Sequence, residues 1–159
     1  MTERIGVYVC HCGTNIAGIV DVEDVARWAE KLPGVVVSRD YKFMCSAPCQ
    51  ELIEDDIKEL GLTRVVVAAC SPHLHDATFQ GACKRAGLNP YLYEMASIRE
   101  QVSWVTTDKA LATQKAKAMV NASVSRIIYD QPLDPIVVKI HPDVLVVPCL
   151  ARQWRCLRL

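Results

Sequence analysis

Short apolar, β-branched runs alternate along the chain with stretches whose apolar residues recur at helical spacing. Ile5–Val9 has the pattern of a buried strand. Asp21 then caps a helix with Val22, Val25, Ala26, Trp28 and Ala29 at helical spacing, stopped by Pro33 and Gly34. Val35–Val37 opens a second strand that continues towards Phe43. Ser46 and Pro48 begin a second helix, with Leu52, Ile53, Ile57 and Leu60 on its apolar face and Gly61 as its stop. Arg64–Ala69 is the third and clearest strand. Ser71 and Pro72 open a third helix that closes at Gly87, and residues 90–94 read as a fourth strand. From Ser97 to about Tyr129 the spacing is helical, interrupted near Thr106, Thr107 and Asp108, with Asp108 capping the second part.

Strand and helix in regular alternation predict an α/β fold, a compact parallel sheet with helical crossovers, over residues 1–130. Gln131–Pro135, with prolines at 132 and 135, reads as a linker. Ile136–Ile140 and Val144–Val147 carry strand patterns without a sheet of their own to join. The predicted plan is therefore a domain at 1–130, a linker and incomplete strand-containing segment at 131–147, and a tail at 148–159 that fits neither element.

A length of 159 residues suits one domain, with or without the start of another. Lys+Arg and Asp+Glu number 18 each. That balance lacks the basic excess of a nucleic-acid binder. No apolar run reaches the roughly 18 residues of a membrane span, and the first residues lack a signal-peptide pattern, so the expected location is the cytoplasm.

Cysteine is the outlier, with 8 residues at positions 10, 12, 45, 49, 70, 83, 149 and 156. In a reducing compartment such a set points to metal binding or redox chemistry before disulfide staples. Cys10 and Cys12 follow the first predicted strand, Cys45 the second and Cys70 the third. In a parallel sheet those carboxyl ends share one edge, where ligands bind. Four thiolates there suit an iron–sulfur cluster or zinc. Ser46 and Ser71 mark helix starts beside Cys45 and Cys70, where the helix dipole favours thiolate. Cys49, one turn into the second helix, is a substitute ligand or a packing residue, and Cys83 reads as core. His11, His73 and His75 flank the same places and read as loop residues before ligands. The spacings match neither a ferredoxin run nor a zinc ribbon. No hydrolase motif is present, so no residue is assigned as catalytic.

Five motifs in order carry a resemblance. They are Val9-Cys-His-Cys-Gly-Thr-Asn-Ile16, Lys42-Phe-Met-Cys-Ser46, Val65-Val-Val-Ala-Ala-Cys-Ser-Pro-His-Leu-His75, Ala86-Gly-Leu-Asn-Pro90 and Ser97-Ile-Arg-Glu-Gln-Val-Ser-Trp104. Over about residues 4–147 the chain resembles the amino-terminal region of the heterodisulfide reductase A-subunit, an iron–sulfur flavoprotein of methanogens and other anaerobes. The resemblance implies a [4Fe-4S] cluster whose ligands match Cys10, Cys12, Cys45 and Cys70. It also implies electron transfer in a flavin-based bifurcating complex, with other heterodisulfide reductase subunits and hydrogenase or formate dehydrogenase modules as partners.

After Val147 the family continues with a glycine-rich turn that opens its FAD domain, whereas this chain has Pro148-Cys149-Leu150. A backbone approach to pyrophosphate needs that glycine turn. FAD is thus expected only in the full-length family protein. Residues 131–147 thus read as a linker and the start of a missing flavin domain, and 148–159 as a divergent tail from a frameshift, a cloning junction or natural divergence. The expected function is an electron-transfer module, part of an oxidoreductase complex and not catalytic alone. The alternatives are a cofactor-free subunit-docking module, or a thiol/disulfide protein cycling Cys10/Cys12 or Cys45/Cys49. Neither pair has C-x-x-C spacing, which ranks that last.

Overall fold

Two strands, β1 (Ile5–Cys10) and β3 (Arg64–Ala69), are buried at every position. That is the state of strands covered on both faces of a parallel sheet. A computed structural model describes residues 3–140 and Asp143. In it the two strands lie side by side at the centre of a four-stranded sheet, flanked by β2 (Val35–Tyr41) and β4 (Tyr93–Ser97) in the order β2-β1-β3-β4. Every pairing is parallel, with Tyr8 opposite Arg39 on one side and Val67 on the other.

The connections are α1 (Val22–Ala29), α2 (Ala47–Glu59) and α3 (Pro72–Arg85), and α4 (Lys109–Ile127) follows a π-helical turn at Arg99–Ser103. The chain winds one way from β1 to β2 and the other way from β2 through β3 to β4. Right-handed crossovers then place α1 on one face and α2 and α3 on the other. Strand alternation fills both layers. Ile5, Val7, Val9, Val66 and Ala68 pack with α1 and α4, while Tyr8, Cys10, Val65, Val67 and Ala69 pack with α2 and α3.

The helix caps match the residues that predict them. Asp21 Oδ1 accepts from Asp24 N at 2.9 Å, and Asp108 Oδ1 accepts from Leu111 N at 2.7 Å. Asp56 ties α2 to the sheet. Its carboxylate accepts from the Tyr8 hydroxyl at 3.0 Å and, in a two-pronged pair, from Arg39 Nε and Nη2 at 2.7 and 2.8 Å. Gly61 and Gly87, both at positive φ, close α2 and α3.

The fourth strand lies three residues later than its apolar run suggests. Pro90 has no N–H to give a ladder, and Asn89 folds the segment into a turn. Its side-chain Oδ1 accepts from Tyr91 N and its carbonyl from Leu92 N, both at 3.0 Å. Pairing therefore starts at Tyr93, opposite Val65, and runs through the small residues Ala96 and Ser97.

Residues 136–140 carry a strand pattern but no ladder: they join none of the sheet's four strands, and Ile136 and Val137 are 90% and 92% exposed. The second strand pattern, at 144–147, and the tail with Cys149 and Cys156 lie outside the described residues. Arg64 donates to the carbonyls of Ile127 and Asp130 at 3.2 and 3.1 Å, and beyond that point Asn89 Nδ2 donates to the exposed Leu133 carbonyl at 3.0 Å, a solvent-facing bond worth little to stability. Truncation after Asp130 is therefore expected to leave the melting temperature unchanged in calorimetry. A fall of several degrees, about 1 kcal/mol in a domain of this size, would make the remainder integral to the fold.

Candidate functional site

The winding reverses between β1 and β3, so the carboxyl ends of these adjacent strands form the sheet's switch point, where α/β folds open a crevice for ligands. Val9 pairs with Ala68, so Cys10 and Cys70 leave neighbouring strands within about a residue of each other. Both thiols are buried. The Cys10 sulfur accepts backbone N–H bonds from Cys12 at 3.3 Å and from Met44 at 3.4 Å. The second of these ties the β1 loop to the residue before Cys45.

Cys12 is half-buried and stands at φ 49°, with Gly13 at φ 60° after it. A left-handed non-glycine residue costs roughly 1–2 kcal/mol. Here the loop fixes it: Gly13 N donates to the Lys42 carbonyl, and Asn15 N and Nδ2 donate to the Cys12 carbonyl. The turn brings the Cys12 sulfur 3.7 Å from Arg99 Nη1.

Burial pushes the Cys10 thiol up to about 11, opposed by its two N–H bonds and reinforced by the neighbouring Cys12 and Cys45 sulfurs. Burial also raises Cys70, opposed by the Ser71 backbone N–H and by the Arg99 cation, and reinforced by Cys12. Cys45 is half-buried just ahead of α2. Cys49 is buried in the first turn of that helix, its thiol raised by burial and held back by the Ser46 hydroxyl. Among the described residues no three His, Cys, Asp or Glu side chains converge on a position for a single metal ion.

The helix starts fall into two kinds. Asp carboxylates cap α1 and α4, whereas Ser46 and Ser71 leave α2 and α3, the two that follow cysteines, without a side-chain cap. The Ser71 hydroxyl and Arg99 Nε are buried without a hydrogen-bond partner. Buried orphan donors are uncommon and mark places where a partner belongs.

No family model matches the chain. Curated relatives do. An iron-sulfur A-subunit of the CoB–CoM heterodisulfide reductase of Methanopyrus kandleri is 54% identical over 145 residues, which is 91% of this chain and 22% of that protein. The A-subunit of the H2:CoB–CoM heterodisulfide, ferredoxin reductase of Methanothermobacter thermautotrophicus matches at the same identity and coverage. The corresponding iron-sulfur protein of Methanocaldococcus jannaschii is 46% identical over 148 residues, or 92% of this chain and 22% of its own length. The chain belongs to the heterodisulfide reductase A-subunit family.

It spans about a fifth of the length of those relatives. Cys10, Cys12, Cys45 and Cys70 all follow strand carboxyl ends, while Cys83 is fully buried late in α3, in the core between α2, α3 and the sheet. His11 is engaged elsewhere, its Nε2 2.7 Å from Asp40 Oδ2. His73 and His75 lie on α3, the first exposed and the second edge-on to the Phe79 ring. Arg99 is the residue that sequence reasoning passes over. With the fourth strand placed at 90–94 it falls in a helix, but with β4 ending at Ser97 it stands at the same carboxyl edge as the cysteines.

The thiols give the fold a pH dependence with a definite sign. Burial sets Cys10 near 11 and Cys83 near 12, above the ordinary 9.0 of the unfolded chain. Above about pH 9 the unfolded chain loses those protons first, so it binds fewer protons than the native state and stability falls as pH rises. Urea unfolding of the metal-free protein is expected to show a midpoint that is flat from about pH 7 to 8 and declines through about pH 10. The Cys83→Ser variant should show a shallower decline.

Proposed function

We propose that the carboxyl edge of this sheet holds an iron–sulfur cluster of the [4Fe-4S] type through the thiolates of Cys10, Cys12, Cys45 and Cys70. The chain then serves as a one-electron carrier within a heterodisulfide-reductase-like complex. The observation that supports the reading is topological: Cys10, Cys12, Cys45 and Cys70 all follow the carboxyl ends of β1, β2 and β3, beside two buried donors without partners, Ser71 Oγ and Arg99 Nε.

The donor set fits such a group. Thiolates are the soft ligands that iron–sulfur clusters take. Orphaned donors suit a ligand that brings its own sulfur acceptors. Relatives are named as iron-sulfur subunits, and others are named for ferredoxin or F420H2 dependence. A cluster, when bound, supplies a one-electron couple.

The protein's own part is to hold and polarise the ligands. Binding requires thiolate, so occupation of the edge displaces protons that burial otherwise keeps on Cys10 and Cys70. The Cys12 and Met44 N–H groups on the Cys10 sulfur draw charge from it, which favours electron uptake. Met44 is fully buried, excluding water from one side of that sulfur. Cys49 is a substitute donor one turn along α2. Flavin belongs, in this reading, to the parts of the family protein that the chain does not span. The electron partners are the other subunits of the complex with their hydrogenase or formate dehydrogenase modules.

Anaerobic reconstitution with iron and sulfide tests the assignment. The chain is expected to take up about four irons. Cys70→Ala should abolish stable loading, and Cys83→Ala, which empties a core position remote from the strand ends, should leave it intact. Equal loading of the two variants would overturn the ligand assignment.

A further inference from the structure

Arg99 sits where a cation has little reason to be unless an anion joins it. Its side chain is 13% exposed and opens the π-helical turn, in which Ser103 N donates to the Ile98 carbonyl at 3.1 Å and Trp104 N to the Arg99 carbonyl at 2.9 Å. Such turns are infrequent and concentrate at functional sites. The guanidinium carries five N–H donors and a permanent charge. Its contacts are few: Nη1 to the Cys12 sulfur at 3.7 Å, Nη2 to Glu100 Oε1 at 3.5 Å, and the Trp104 ring with its centroid 4.6 Å away. Nε is buried and has no partner.

Burying a charge is unfavourable unless it is paired and hydrogen-bonded. The Glu100 contact is long, and its carboxylate is itself 39% exposed, so the pair is a weak one. The other cation beside this loop, Lys42, lies over the Phe43 ring, which is 46% exposed. Among the described residues Arg99 is therefore the buried cation in contact with a cysteine of this edge. It acts on Cys12 by contact and on Cys70 through space.

We infer that Arg99 is a positioning residue that offers its charge and its free Nε–H to the sulfur atoms gathered at Cys12 and Cys70, and so raises the reduction potential of the group held there. This rests on the cluster reading above and adds to it the residue that sets the potential. When one electron enters, the group becomes more negative by one charge, while Arg99 stays cationic and no proton leaves it. A cation in a site of low effective dielectric stabilises the added charge more than water does. Hydrogen bonds to sulfur act in the same direction.

The test uses the full chain, reconstituted anaerobically with iron and sulfide and titrated potentiometrically with detection by electron paramagnetic resonance. Arg99→Gln should lower the midpoint, reducing the ratio of reduced to oxidised cluster at fixed potential by about tenfold, or about 59 mV for one electron. Arg99→Lys keeps the charge and should restore most of that loss. Glu100→Gln removes the carboxylate that opposes Arg99 and should shift the midpoint upward by a smaller amount. This variant changes a partly exposed side chain and keeps the test open should Arg99→Gln fail to load. A merely structural Arg99 would change iron content or melting temperature and leave the midpoint of the loaded fraction in place. Unchanged midpoints in the loaded Arg99→Gln and Glu100→Gln proteins would overturn the inference while leaving the cluster standing. A wild-type chain that takes up no iron would overturn the cluster reading and this inference with it.

Discussion

Parallel pairing of β1 with β3 is the constraint on which the rest of the site depends. Both strands are buried on both faces, so their register is fixed by two cores at once. A slip of one residue would turn each core residue to the opposite layer. Because the chain reverses its winding between them, the connections that leave their carboxyl ends lead to opposite faces of the sheet. Cys10 ends β1 and Cys70 directly follows β3, and the neighbouring loops after β2 and β4 carry Cys45 and Arg99 at the same edge. The cysteines share one sheet edge because the sheet is parallel, not because they are close in sequence.

That placement carries an electrostatic tension. The same burial that shields Cys10 and Cys70 from water raises their thiols and so resists the ionised form a soft metal needs. Three features oppose it: backbone N–H groups directed at the Cys10 sulfur, helix starts left without side-chain caps beside Cys45 and Cys70, and the Arg99 guanidinium against Cys12. The Ser71 hydroxyl and Arg99 Nε complete no hydrogen bond within the protein. An edge with protonated thiols and unpartnered donors is a half-built polar network, and such networks are costly until the missing member arrives.

Much of this was legible in the sequence, for identifiable reasons. Ile5–Val9 and Arg64–Ala69 are apolar runs with no competing signal, and the strands form there. Asp21 and Asp108 stand before helical spacing and cap as expected. Cys83 falls in a helix facing the sheet, and it is core. What was not legible depended on turns and three-dimensional context. The apolar character of Tyr91 and Leu92 hides the Asn89 turn that delays β4. Hydrophobic spacing does not distinguish a π turn from an α-helix, so the element that presents Arg99 was absorbed into the following helix. The β-branched run at 136–140 shows the reverse case, a strand pattern with no neighbour to pair with. The resemblance of the five motifs to the heterodisulfide reductase A-subunit agrees with the curated relatives, and the motifs take in both core strand residues such as Val65–Ala69 and the strand-end cysteines.

The central claim is that one bound group occupies all four sulfurs at this edge. Differential alkylation, with the protein labelled before and after removal of iron and read out by mass spectrometry, tests it most directly. Cys12 and Cys45 are the informative positions, since both are only half-buried and their protection cannot come from the fold alone. The account predicts that Cys10, Cys12, Cys45 and Cys70 become labelled together when iron is removed, with Cys83 protected throughout until the chain unfolds. Labelling of Cys12 and Cys45 to the same extent with and without iron would contradict it.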